Sequence, residues 1–211
     1  MSADGTVATE PSLRKIDGEP FLAGLLIPQA LDRMAASLHV TNYLRGLQRE
    51  ECVTRSADIL LAINGAHPFR EGNGRTQRAF VRELAKQADH NLDFSVVTRE
   101  RMIRASLAGN EQNNSSMTRR MFNEISHPAR VATLTRAIEV LDHHGFAWND
   151  SYVATAEPGH AVEVVLAGVA GDQFMARTAT EILIGQVSDL PEPRLQRGDT
   201  FALEPTSWRD E

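Results

Sequence analysis

Between Ile27 and Glu124 the apolar residues recur mostly every three or four positions, with few turn clusters, a pattern that predicts an all-helical region. Leu31, Met34, Ala35 and Leu38 form one stripe, and Ile59, Leu60 and Ile63 form another. Residues 75–86, RTQRAFVRELAK, read as a helix whose buried side carries Phe80 and Leu84 and continues to Ala88. Thr98 is placed to cap the next helix, its hydroxyl accepting a first-turn amide ahead of Met102, Ile103 and Leu107, and Gly109-Asn110 would end it. A further helix is predicted from Pro128 to about His144, with Ser126 as its cap and Gly145 at a left-handed stop.

After Trp148 the period changes. YVATA, AVEVVLAGV, QFMARTA, EILIGQV and TFALEP are short β-rich runs separated by PG, GD and LPEP turn signals, which predicts five strands in a small barrel. The chain therefore divides into a helical domain over 1–127, a connecting helix over 128–146 and a β domain over 147–211. Ahead of Ile27, LRKIDGEPFLAG has a DG pair between short apolar and charged runs, which suits either a small hairpin or an unpaired loop.

Composition narrows the function classes. The 211 residues are 42% hydrophobic and 24% charged, the balance of a folded globular protein. Residues 1–127 hold 16 Lys and Arg against 15 Asp and Glu, whereas residues 128–211 hold 6 against 13, a net +1 and −7. The acidic β half would be repelled by phosphate backbones, which argues against nucleic-acid binding. A single cysteine, Cys52, excludes an internal disulfide, and a reducing compartment fits. No stretch reads as a signal peptide or membrane span.

The chemistry concentrates in HPFREGNGRTQR, residues 67–78. Pro68 stops the preceding helix, so His67 falls at the edge of a loop, with Phe69 expected to anchor that loop in the core. Gly72 and Gly74 stand at the start of the next helix, where unpaired amides and about half a positive charge make an anion site. Arg75 and Arg78 lie nearest that end, and a planar guanidinium can hold two oxygens of one phosphoryl group. At an effective dielectric near 20, such a pair about 4 Å apart gains on the order of 4 kcal/mol before solvent reduces it. Glu71 beside a polyphosphate suits a Mg²⁺ ligand, Asn73 can donate to the same phosphates, and His67 suits a general base near neutral pH. A lone histidine before proline is more often structural, and a lone basic helix face is usually only solvated. Their coincidence in one segment favours phosphorus chemistry on a nucleotide.

The segment matches the Fic family signature, HPFx(D/E)GNGRxxR, at every defined position. The longer stretch NYLRGLQREECVTRSADILLAINGAHPFREGNGRTQRAF, with NDSYVATAEPG, VAGDQFMARTA and SDLP, resembles the Bartonella effector proteins, which join Fic to an OB-fold. The resemblance implies a mainly α Fic helical domain followed by a small all-β OB-fold-like barrel. It implies a protein adenylyltransferase that uses ATP and Mg²⁺ to move AMP onto a hydroxyl of a target protein. Carried over, His67 is the base, Glu71 the Mg²⁺ ligand, Asn73, Arg75 and Arg78 hold phosphates, and Gly72 and Gly74 supply the anion hole.

Three departures qualify the expectation. No tryptophan precedes Trp148, so the WAG-like segment of an upstream helical lobe is missing, and the family's target-aligning flap would fall near residues 13–24. The inhibitory pattern (S/T)xxxE(G/N) is incomplete in both TVATEP and TRAIEV, which points to inhibition by a separate small protein. The chain stops at WRDE, without the basic delivery tail of the related effectors. The expected location is cytoplasmic, in the bacterium or in a host cell after type IV delivery as part of a longer effector. A catalytically impaired Fic-OB module that binds nucleotide or a partner protein is the alternative.

Overall fold

The computed structural model describes residues 21–191, 195–205 and 208. The fold is mainly helical with a five-stranded sheet toward the carboxy end. By packing, the chain divides into two compact units, one ending at His90 and the other beginning at Asn91. No helix among the described residues is long and apolar enough to cross a membrane. Of the hairpin candidate ahead of Ile27, only residues 21–24 fall within the described part; the rest lies outside it.

In the first unit, α1 (Ile27–Val40), α2 (Arg49–Ala66) and α3 (Asn73–Gln87) enclose a small core. It consists of Leu38, Leu44, Cys52, Leu84 and Ala88, with Met34, Leu47 and Ile59 packed against it. Of the first predicted stripe, Leu38 is buried and Leu31 and Met34 are half-buried, but Ala35 faces solvent. Burial pushes the Cys52 thiol above its ordinary value, against a weaker opposing contact from Ser56, so this thiol is an inert core group.

α3 starts two residues earlier than its periodicity suggests, at Asn73, because Gly72 adopts a left-handed φ of 79° and its carbonyl accepts the first helical bond from the Thr76 amide at 3.0 Å. The inward stripe is Gln77, Val81, Leu84, Ala85 and Ala88. Phe80 is 38% exposed and Phe69 48% exposed, which corrects both expectations. Phe80 is one position off the stripe, and its size had made it look like the core residue.

In the second unit, the Thr98 hydroxyl accepts the Arg101 amide at 3.2 Å and opens α4 (Arg99–Glu111), which runs through Gly109-Asn110 instead of stopping there. α5 (Ser116–Ile125) and α6 (Pro128–His143) follow. His127, not Ser126, is the N-cap of α6; the Ser126 hydroxyl instead donates to the Asn123 carbonyl at 3.0 Å. Gly145, at φ 67°, follows the C-cap as expected.

The strands are β1 (Val153–Thr155), β2 (Val162–Ala170), β3 (Gln173–Arg177), β4 (Ile182–Gln186) and β5 (Thr200–Leu203). They lie in the order β1-β4-β3-β2-β5, with β1 parallel to β4 and the other pairs antiparallel. A register shift between Leu166 and Gly168 bends β2 against β3. Tyr152, Ala154, Val164, Leu166, Phe174, Leu183, Phe201 and Leu203 fill the core of this unit.

Gly185 faces Phe174 across the β3–β4 ladder, and a Cβ there would stand 2.4 Å from the ring tip. The ring is buried and packs edge-on to Phe201, so it has nowhere to retreat. Gly185→Ala is therefore expected to cost about 1–3 kcal/mol by overpacking, seen as a lower urea midpoint with an unchanged slope.

Candidate active site

All the candidate residues lie in the first unit, on the end of α2, the start of α3 and the loop joining them. α2 ends at Ala66 because Pro68 cannot extend a helix. His67 caps it, donating its amide to the Ile63 carbonyl at 2.9 Å while taking a left-handed backbone at φ 45° and ψ 58°. A non-glycine residue seldom adopts that conformation, which breaks the chain direction of α2 at this residue. The ring of Phe21 stacks on the imidazole, with centroids 3.6 Å apart and planes 18° apart.

The loop is braced by a residue whose part in it sequence reasoning missed. Asn73, 4% exposed, accepts the Phe69 amide at 3.0 Å through Oδ1 and donates through Nδ2 to the Phe69 carbonyl. This paired bond imitates a strand ladder and closes the turn over residues 69–73. The G-x-G context suggested a phosphate donor; an asparagine at N1 of a helix, reaching back four residues, was the overlooked signal. Gln77 adds a second tie, its Nε2 donating at 3.4 Å to Asn64 Oδ1 on the last turn of α2.

No side chain caps the start of α3, and no acidic residue occupies its first turn. The amides of Gly72 through Arg75 therefore precede the first helical partner and carry the positive end of the helix dipole. Two guanidinium groups fold back over this end. A Cβ built on Gly72 would lie 3.8 Å from Arg75 Nη2, and one on Gly74 would lie 3.5 Å from Arg78 Nη1. The arrangement suits an anion: backbone donors below, two planar cations at the rim, and no β-carbon at either glycine to block approach.

Glu71 is exposed in the loop immediately before Gly72. One carboxylate beside an anion-binding turn is a donor set suited to Mg²⁺, which commonly takes one or two carboxylates and completes its shell with substrate phosphates and water. Among the described residues there is no group of three or more His, Cys, Asp or Glu side chains that could hold a metal ion by themselves.

Comparison with known proteins matches residues 17–85 to the Fic/DOC family. A protein adenylyltransferase of Bartonella henselae is 34% identical over 195 residues, which is 92% of this chain and 36% of that protein. The solved structure of the type IV secretion system effector protein BepA superposes with a TM-score of 0.82 at 30% identity, over 95% of this chain and 73% of the other. The BepC protein of Bartonella tribocorum, solved with bound AMPPNP, gives a TM-score of 0.55 at 37% identity, over 59% of this chain and 60% of that one. The chain thus spans about a third of the length of the first of these relatives.

Proposed function

Because the chain belongs to the Fic/DOC family, we propose that it is a protein adenylyltransferase, transferring AMP from Mg²⁺-bound ATP to a hydroxyl side chain of a target protein and releasing pyrophosphate. The observation that carries this reading is the start of α3, where uncapped amides and the Arg75 and Arg78 guanidiniums converge one short loop away from His67. His67 would take the proton of the target hydroxyl as its oxygen bonds to the α-phosphorus and the bond to the β-phosphate bridge breaks. The Gly72 to Arg75 amides, with Arg75 and Arg78, would hold the phosphate oxygens and the charge that develops on them. Asn73 would serve these phosphates chiefly by fixing the loop, and Glu71 would hold Mg²⁺, which when bound neutralises the phosphate charge.

The likeness to protein adenylyltransferases and to an AMPPNP-bound relative supports the nucleotide class. We keep a division by element type: a Fic part to residue 127, a connecting helix over 128–146, and an OB-fold-like part from 147, supported by five strands with one parallel pair in a non-sequential order. In this reading the protein acts in a cytoplasm, of the bacterium or of a host cell after type IV delivery as part of a longer effector, and is inhibited by a separate small protein, which the incomplete pattern in TVATEP and TRAIEV supports.

Incubation with a candidate host or bacterial lysate and ATP labelled at either the α- or the γ-phosphate tests the reading. Label from the α-position alone on a protein band is the expected result. Label from the γ-position would mean a kinase, and nucleotide binding with no labelled band would favour a binding module.

A further inference from the structure

We propose that Phe21 is a positioning residue for His67, its ring fixing the plane of the imidazole and so the direction in which the base faces its substrate. This rests on the assignment of His67 as the base. Three observations carry it. The two rings are near-parallel, 18° apart, with centroids at 3.6 Å, which is full face contact. His67 sits one residue beyond the end of α2, in the left-handed region, so its side chain leaves the backbone outside the regular helix. Phe21 itself is half-buried and lies just ahead of the Gly24–Leu26 turn that leads into α1, so its ring is carried by a segment remote in sequence from the loop.

A stacked ring allows sliding and forbids tilting. The imidazole keeps one face covered and presents its edge, which is where both ring nitrogens lie. A general base works only within hydrogen-bond reach of the proton it takes, and a displacement of about 1 Å can lower a rate roughly a hundredfold. The anion turn at the start of α3 has its own scaffold in Gly72, Asn73 and the two arginines. Loss of Phe21 should therefore slow transfer and leave nucleotide binding alone.

The test uses Phe21→Leu and Phe21→Tyr in the full chain with ¹³C-labelled histidine. In the wild type the His67 ring protons, assigned by their loss in His67→Ala, are expected upfield of the other histidines because they sit in the ring current of Phe21. Phe21→Leu should move them to ordinary positions and lower kcat about tenfold or more, with the ATP dissociation constant within twofold of wild type. Phe21→Tyr should restore both the shift and the rate. Unchanged His67 signals in Phe21→Leu would overturn the stack, and a changed signal with unchanged kcat would overturn the positioning role. A wild-type protein that labels no target would overturn the adenylyltransferase reading, and this role with it, while the upfield signals would still report the stack.

Discussion

His67→Ala is expected to lower AMP transfer by two to four orders of magnitude and to leave the affinity for ATP nearly unchanged, because a positioned base is worth roughly a hundred- to ten-thousand-fold in rate. The separation of effects follows from the scaffold. The imidazole is held by the C-cap of α2 and the Phe21 stack, whereas the anion donors belong to the first turn of α3 and its two folded-back arginines. Arg78→Ala should give the opposite signature. In the proposed role Arg78 would touch phosphate in both ground and transition states, so nucleotide affinity should fall along with the rate. The measurement is single-turnover transfer of α-labelled AMP beside equilibrium ATP binding for each variant. A His67→Ala protein that transfers at wild-type rate would assign the base elsewhere.

Much of this site was legible because one short segment encodes it. Pro68 forces the helix end, and glycines at 72 and 74 mark a helix start, so the order of chemical groups in sequence is their order in space. Thr98 was readable for the same reason, since a cap and its amide are three residues apart. What local pattern could not supply were the choices made by packing. Phe80 lies one step off the true stripe, and no periodicity could tell that Val81 would be the buried neighbour. Asn73 has two jobs compatible with its chemistry, and only the folded loop gives its amide to Phe69. The stack of Phe21 on His67 joins residues far apart in sequence, beyond any short-range signal.

The second unit hides a longer-range feature, a buried ionic cluster built from α4, α5, α6 and β1. Arg101 and Glu124 are fully buried and paired with each other, and Arg130 Nη2 lies 3.7 Å from the same carboxylate. Thr155 donates to Glu124 through both its amide and its hydroxyl, while its hydroxyl accepts Arg130 Nε at 2.7 Å. Arg101 also donates to the Val153 carbonyl at 3.4 Å, and its guanidinium lies 5.5 Å from the centre of the Tyr152 ring. Every element of this set contributes a group that the others need, so the cluster fixes how three helices meet the first strand.

Glu124→Gln is accordingly expected to cost about 3–5 kcal/mol, because it leaves two buried guanidiniums without their anion. Against a typical total of about 5–15 kcal/mol this is a large fraction of the stability. Burial alone would push the Glu124 carboxyl up; the charges of Arg101 and Arg130 and the two Thr155 bonds outweigh it and hold the group below the ordinary carboxylate range. A carboxyl depressed in the folded state stabilises fully above its unfolded value, and that contribution disappears as the pH falls through the folded one. The wild type should therefore lose stability on the acid side more steeply than Glu124→Gln, whose amide does not titrate, so the gap between them narrows as pH drops. Trp148 and Trp208, the two tryptophans of the chain, both belong to the second unit, so urea unfolding followed by their fluorescence at neutral and acid pH reads this unit directly. A gap under 1 kcal/mol at neutral pH, or one that widens with acid, would mean that the guanidiniums find other partners and that the cluster does not hold this unit together.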